Sequence, residues 1–279
     1  VSALDELAGR TAVVTGAGSG IGLGLAVHAG TLGMNVVLAE LDEERLEAAV
    51  ATVRATGARV LGVPTDVGDP TSVEDLAQTA YATFGDVAVL INNAGIEAVG
   101  HVWDFEPERW SRMMRVNTDG AFHGIRSFVP RMGASQQTSY VVNVASVAAV
   151  SAGPFNAAYH ASKHALLALT ECLHLESQIA FPQLQVSVVC PGSVTTRIFE
   201  DASLSGDDET GGPRQMLDYL RHMLSTEGLS PAEVAEIVFA GMAAGDFWIL
   251  PHPEQFAELA GARAEQLLHR RAPALPVFE

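Results

Sequence analysis

Residues 11–22 read TAVVTGAGSGIG, a β-branched run from Thr11 to Thr15 that passes directly into a glycine-rich loop and then a helical pattern. Glycine lets the backbone turn tightly and approach another group closely, and the N–H groups that open the next helix attract anionic oxygen. The glycines that matter stand at Gly16, Gly20 and Gly22, a GxxxGxG spacing; no choice of three glycines here gives GxGxxG. A tight strand-to-helix turn needs glycine in any case. What gives the loop weight is its place after the first strand and before a helix, where doubly wound sheets hold a dinucleotide pyrophosphate.

Outward from this loop, short β-branched runs alternate with helical patterns as far as about residue 195. TAVVT (11–15), NVVLAE (35–40), ARVLGV (58–63), DVAVLI (86–91), SYVVNVA (139–145) and QVSVVC (185–190) predict six strands. Each is apolar on both faces, as parallel strands covered by helices require. Between them, Leu46, Ala49, Val50 and Val53 mark one face of a helix over 43–56, and a second helix over 71–84 closes at Gly85. The alternation implies an α/β fold, a doubly wound parallel sheet of about seven strands with helices on both faces. One domain is expected over 1–279, with its cofactor half over about 7–195. After Cys190 the pattern breaks. Residues 196–228 hold FEDASLSGDDETGGPRQM, too long a polar stretch for an ordinary connection; it reads as a solvated acidic insertion or, with the apolar Met216, Leu217, Leu220, Met223 and Leu224 in need of cover, as the favoured substrate lid. A helix from Pro231, a short strand over 247–250 and a terminal helix complete the chain to about residue 270.

Glu40 ends the second strand, 18 residues past Gly22. A carboxylate there accepts hydrogen bonds from the adenosine ribose of NAD and repels the 2′-phosphate of NADP. Ser19 in the loop and Leu41 after the acid supply no compensating cation, so NAD(H) is expected over NADP(H); Asp42 takes the role if the strand is shifted. The chemistry is carried by Tyr159-His160-Ala161-Ser162-Lys163, which puts a phenol and an ammonium four residues apart on one helix face. Thirteen residues earlier, Ser146 follows the fifth strand, at the sheet edge where ligands bind. A phenol of pKa near 10 is a poor base at neutral pH, and a neighbouring cation, joined by the positive nicotinamide ring, favours its phenolate. Ser146 can then hold a substrate oxygen while Tyr159 exchanges its proton.

With these stations occupied in order, the chain resembles the short-chain dehydrogenase/reductase family in its single-domain form, from Leu7 to about Arg197. The resemblance implies a Rossmann-like fold whose cofactor loop is Thr15–Gly22, with Gly16, Ser19, Gly20, Ile21 and Gly22 at the cofactor. It makes Asp66, beside Val67, the adenine-contacting acid. It makes Asn92–Gly95 the segment that steadies the fourth strand and lines the cofactor through Asn93, Ala94 and Gly95. It assigns catalysis to Asn117, Ser146, Tyr159 and Lys163, with a helix distortion at Asn117 and a second role for Lys163 on the nicotinamide ribose. It places Val194 and Thr196 at the carboxamide, and implies a homotetramer, or a dimer, paired through the long helices before the fifth and sixth strands. The departures are small: Glu40 where NAD-using members often have Asp, and Ala145 where a serine often precedes the catalytic one.

Composition excludes several classes. The 279 residues carry 33 acids against 16 bases, a net charge of −17, which disfavours nucleic acid and anionic membranes as partners. Of the 16 bases, 15 are Arg and one is Lys163. Two cysteines, Cys172 and Cys190, make neither a disulfide framework nor a four-ligand zinc site and read as buried packing residues. His160 and His164 have metal-ligand spacing, but no nearby acid or cysteine completes a set, so no metal is expected. VSALDELAGR has no apolar signal core, and no run approaches the roughly 18 apolar residues of a membrane span. A soluble cytoplasmic enzyme is the expectation. It would interconvert a secondary alcohol and a ketone on an apolar, uncharged small molecule (alicyclic, aromatic, terpenoid or steroid-like). Ile96, Val147, Ala148, Val150, Phe155, Ile198 and Phe199 supply that pocket, with Ser146, Tyr159, Val147, Phe155 and Phe199 at the substrate. No Arg cluster converges there, although Arg197 is close. His101 and Trp103 either touch substrate or pack a loop. Two other readings are a 3-oxoacyl carrier-protein or coenzyme A reductase and a non-catalytic NAD-binding interaction protein. Glu40 and the acidic surface speak against the first, and the intact Ser146–Tyr159–Lys163 set against the second.

Overall fold

The computed structural model describes residues 4–135, 137–204 and 211–275. In chain order the elements are β1 (Thr11–Thr15), α1 (Gly20–Thr31), β2 (Asn35–Glu40), α2 (Glu43–Arg54), β3 (Val60–Pro64), α3 (Pro70–Phe84), β4 (Val89–Asn92), β5 (Ala98–Val99) and α4 (Pro107–Met114). They continue with α5 (Gly120–Ala134), β6 (Ser139–Val144), α6 (Ala157–Ala180), β7 (Leu184–Val189), β8 (Ser203–Leu204), α7 (Gly212–Glu227), α8 (Pro231–Ala244), β9 (Trp248–Ile249) and α9 (Pro253–Leu268). Seven strands form one parallel sheet in the order β3-β2-β1-β4-β6-β7-β9. This is the Rossmann-like α/β fold.

Period-two alternation decides which helices cover which face. Ala12 and Val14 of β1 pack with Leu25 and Ala29 of α1 and with Val238 and Phe239 of α8. Val13, between them, packs on the other face with Leu76 and Ala80 of α3 and Phe128 and Met132 of α5. Each such large buried side chain contributes roughly 1.5–3 kcal/mol. Local signals set the helix ends. Asp42 caps α2 by accepting from Arg45 N at 3.0 Å, and Asp69 caps α3 by accepting from Thr71 N at 2.9 Å. Gly85 ends α3 with φ 87°, and Ser230 and Glu233 form a reciprocal cap on α8.

Winding reverses between β1 and β4, so the crevice at the carboxyl ends of these strands is where ligands of such sheets bind. The loops after β1, β4, β6 and β7 all empty into it. Expected boundaries shift by a few residues: β3 begins at Val60, β4 at Val89, and α2 ends at Arg54. Cys172 is corrected, because it lies exposed on α6; only Cys190 is buried. The two-residue ribbon β5–β8, which ties the loop after β4 to the lid segment, had no sequence signal. Residues 205–210 of that segment lie outside the described residues. Among the described residues, no helix is long and apolar enough to cross a membrane.

Candidate active site

The glycine loop is held to the NNAG segment by hydrogen bonds. Thr15 Oγ1 accepts from Asn93 N at 3.0 Å and Ala94 N at 3.1 Å, while Asn93 Nδ2 donates to Thr15 O at 2.9 Å and Gly16 O at 3.2 Å. Gly16 has φ 61°, and a Cβ at Gly22 would overlap the Gly16 carbonyl and the Asn93 amide. The residue types are therefore fixed by geometry. Ser19, at the start of α1, makes no side-chain cap bond, so the first N–H groups of that helix are left for another acceptor. This cradle fits a pyrophosphate.

At one end of the cleft, Glu40 Oε2 accepts from Gly18 N at 3.1 Å, and Oε1 accepts from Leu41 N at 2.9 Å and Asp42 N at 3.2 Å. Asp66 and Val67 line the wall beside it, and Asp66 Oδ1 accepts from Gly68 N at 2.8 Å. A cation is present after all: Arg45, five residues beyond Glu40, lines the same end. Its guanidinium is engaged by Asp201 of the lid segment at 3.0 Å and by Asp42 at 3.4 Å. Sequence separation hid this pairing.

At the other end stand Ser146, Tyr159 and Lys163. Ser146 opens a short 3₁₀ turn, its hydroxyl accepting from Ala148 N at 3.1 Å, and its side chain reaches the Tyr159 phenol. Lys163 Nζ donates to Val144 O at 2.9 Å and lies 5.6 Å from the Tyr159 ring centroid. Burial lowers its pKa to about 8, against the opposing charge of Glu97. Burial, followed by the Glu97 charge, pushes the Tyr159 phenol up, and Ser146 opposes that rise. The Lys163 ammonium does not by itself offset that burial; the expected phenolate rests on the nicotinamide charge as well. Residues 115–119 form a π-helical turn, the helix distortion expected at Asn117. Asn117 Oδ1 accepts from Ile96 N at 2.8 Å, and Nδ2 donates to Ile96 O at 3.0 Å and Ser162 Oγ at 3.0 Å.

One continuous cleft of about 920 Å³ joins the two ends. Its walls include Gly16, Ser19, Gly20, Ile21, Glu40, Asp66, Val67, Asn93, Ala94, Gly95, Ser146, Val147, Tyr159, Lys163, Val194, Thr196 and Phe199. Gly22 and Asn117 stand behind the wall. Phe155 is not on it either: its ring meets His101 edge-on at 4.9 Å and abuts Gly212. Val150 is likewise absent, whereas Ile96, Ala148, Ile198, Leu220, Met223 and Leu224 supply apolar lining. Arg112, Arg115 and Arg197 line it too, more cations than the sequence indicated. Trp103, 76% exposed, stacks on His101 outside the cleft, and His160 Nδ1 contacts the Ala148 and Ser151 carbonyls. Sequence reading missed Glu97. It is buried in the wall, and its one signal was an acid inside the apolar run Ile96-Glu97-Ala98-Val99.

A dinucleotide cradle leading to a serine, a tyrosine and a lysine defines a class of nicotinamide-dependent oxidoreductases. Residues 10–205 match the family described as short chain dehydrogenase. A 1-deoxy-11-beta-hydroxypentalenate dehydrogenase of Streptomyces arenae is 36% identical over 241 residues, covering 81% of this chain and 86% of that protein. A D-beta-hydroxybutyrate dehydrogenase of Rhizobium meliloti is 36% identical over 194 residues, 68% of this chain and 74% of that one. A solved short chain dehydrogenase/reductase from Burkholderia phymatum, in complex with NAD, matches with a TM-score of 0.91 at 35% identity, covering 98% of this chain and 99% of that chain. The chain belongs to the short-chain dehydrogenase/reductase family and is an oxidoreductase of CH–OH groups that uses a nicotinamide cofactor.

Proposed function

We propose that the protein interconverts a secondary alcohol and a ketone with NAD(H) in preference to NADP(H), on a largely apolar and uncharged small molecule. One observation carries the reading: a single cleft has Glu40 at one end and Ser146, Tyr159 and Lys163 at the other. When bound, the nicotinamide ring supplies the acceptor or donor of hydride. Gly16, Ser19, Gly20 and Ile21 hold the pyrophosphate, with Gly22 making the close turn possible. Asp66 and Val67 flank the adenine, Asn93, Ala94 and Gly95 back the ribose, and Val194 and Thr196 meet the carboxamide. Ser146 donates to the substrate oxygen, and Tyr159 gives or takes the proton at that same oxygen. Lys163 orients the cofactor ribose from its seat on the Val144 carbonyl. Asn117 fixes the loop after β4 by accepting from Ile96 N with Oδ1 and donating to Ile96 O with Nδ2, and the π-helical turn sets it there.

Val147, Phe199 and the α7 residues Leu220, Met223 and Leu224 support an apolar substrate under a lid over 196–228. Phe155 acts from behind that lid, through Gly212. Residues 1–279 form one domain in this reading. Exposed Phe122 on α5 and Leu175 and Ile179 on α6 support pairing of these helices in a homotetramer or dimer. Free Cys172 and Cys190 suit a reducing cytoplasm.

A hydroxy-acid substrate is the second reading, favoured by Arg112 and Arg197 in the wall and by the names of the two dehydrogenases above. Arg197, however, already faces Glu200 at 3.6 Å and Asp201 at 3.5 Å. NADH formation from a panel of neutral and anionic secondary alcohols tests both. Preference for the anions overturns the neutral reading, and binding of NADH without turnover of any alcohol overturns the enzyme reading.

A further inference from the structure

Glu97 is 4% exposed, yet it forms part of the cleft wall. Its Oε1 accepts from Ala98 N at 3.0 Å, while Oε2 meets no donor. Asn156 lines the same wall, with its side chain against the Glu97 carboxyl and its own Oδ1 also without a donor. Two buried side-chain oxygens without a hydrogen-bond partner therefore stand side by side in the cleft wall. Each such group costs about 1–3 kcal/mol when left unsatisfied, and a leucine at position 97 would avoid that cost. Neither the β5–β8 ribbon nor the Asn117 clasp on Ile96 uses the Glu97 side chain.

We propose that Glu97 and Asn156 form a second polar subsite in the substrate end of the cleft, and that it receives a neutral hydroxyl group carried by the substrate near its reacting carbinol. This rests on the alcohol–ketone function proposed above and narrows its substrate class. The electrostatics fit a neutral partner. Burial pushes the Glu97 carboxyl up to about 8, opposed by Ala98 N, Asn156 and the Lys163 charge, so the group is largely protonated at neutral pH. A protonated carboxyl offers one donor and one acceptor, and Asn156 Oδ1 adds an acceptor. A hydroxyl, being donor and acceptor at once, satisfies that set. A carboxylate brings acceptors only, and is repelled once Glu97 ionises. An ammonium would add charge beside Lys163. The charged groups that face Glu97 are Lys163 and the titratable Tyr159, both on α6, so the subsite stands within electrostatic reach of the reacting end.

The test compares cyclohexanol with the three cyclohexanediols as NAD-dependent substrates of the full chain. At least one diol should exceed cyclohexanol in kcat/KM by about tenfold, chiefly through KM, which is the size of one well-made hydrogen bond. In Glu97→Leu that ratio should collapse to within about threefold, and Asn156→Ala should lower it in the same direction. Glu97→Gln, which keeps a donor and an acceptor, should retain most of it. NADH fluorescence titration checks that each variant is folded, and Asn156→Ala with Glu97→Gln carry the test if Glu97→Leu is not. Turnover of all four alcohols without discrimination, or a ratio unchanged in Glu97→Leu and Asn156→Ala, overturns this inference alone. No turnover of any alcohol by the unaltered chain overturns the proposed function and this inference with it.

Discussion

Cofactor choice can be worked out from Glu40. Its carboxylate is half-buried at the end of β2 and is already the acceptor for Gly18, Leu41 and Asp42 N–H groups. Glu40→Gln keeps the size and one acceptor oxygen for Leu41 and Asp42 N, and removes the charge at the cost of the Gly18 N hydrogen bond. Two unit charges at contact, about 4 Å apart, repel by about 1 kcal/mol in water and about 4 kcal/mol at an effective dielectric near 20. Partial exposure of Glu40 and the nearby Arg45 place the penalty on a 2′-phosphate at the lower end. About 1–2 kcal/mol corresponds to roughly 5- to 30-fold in preference. Arg45 does not cancel it, since Asp201 and Asp42 already hold the guanidinium at 3.0 and 3.4 Å. The assay is kcat/KM for both cofactors with one alcohol, together with NADH and NADPH dissociation constants from fluorescence at low and high salt. The unaltered chain should prefer the cofactor without the phosphate, and Glu40→Gln should erode that preference by the stated factor. The effect should shrink as salt screens it. An unchanged ratio in Glu40→Gln, or a native preference for NADP, refutes the electrostatic reasoning.

Tyr159→Phe should lower kcat by at least about 100-fold, the low end of general acid–base catalysis, with NADH affinity nearly unchanged; substantial turnover would mean that another group moves the proton. Lys163→Arg keeps the charge but not the fit, and should lose about 100-fold in kcat through misplacement of the ribose, measured beside the NADH dissociation constant. Gly22→Ala forces a methyl into the Gly16 carbonyl and the Asn93 amide, and should cost about 1–3 kcal/mol, seen as a lower Tm and weaker NADH binding. Stability should also carry the signature of Glu97, whose carboxyl sits at about 8 when folded against an ordinary 4.5. Between those values the folded chain holds a proton that the unfolded chain has released, so stability falls as pH rises through that window. Glu97→Gln removes this loss, and its Tm advantage should widen from pH 5 to pH 8; a constant difference contradicts the assignment. Lys163, lowered from 10.5 to about 8, acts in the opposite sense only above that range.

How much of this was legible in the sequence differs by the kind of interaction. Burial on both faces leaves a one-dimensional trace in the five inner strands, in runs such as NVVLAE and QVSVVC, while the edge strands β3 and β9, less buried, follow from their apolar composition and their order along the chain. The site residues that project from strand ends, Ser146 after β6 and Asn93 after β4, were placed by order along the chain. Pairings between distant segments leave no such trace. Arg45 and Asp201 are 156 residues apart, and each alone reads as an ordinary surface charge. Phe155 was assigned to the pocket from its apolar character. Its φ of 63° and its packing on His101 and Gly212, which take it off the cleft wall, depend on the folded loop. Glu97 was missed for a related reason: strand periodicity says which positions are buried, but not which buried position opens onto a cavity.

The reacting pair shows the same limit in its electrostatics. Four-residue spacing puts an ammonium beside a phenol and predicts that, joined by the positive nicotinamide ring, it favours the phenolate. In the folded chain Lys163 donates to Val144 O at 2.9 Å and stands 5.6 Å from the Tyr159 ring centroid. A cation near an aromatic ring is worth roughly 0.5–2 kcal/mol. That interaction steadies the two side chains without ionising the phenol. Burial sets Tyr159 against losing its proton and so favours the protonated phenol that ketone reduction needs. Alcohol oxidation needs the reverse, and the positive nicotinamide ring proposed for this cleft is a charge of the right sign to favour it. Lysine then matters for its shape. A compact ammonium 4% exposed can sit on a strand carbonyl beneath a ribose, whereas a guanidinium needs room for a rigid five-donor fork. In a chain with 15 arginines, steric demand at this one position is a sufficient reason for its single lysine.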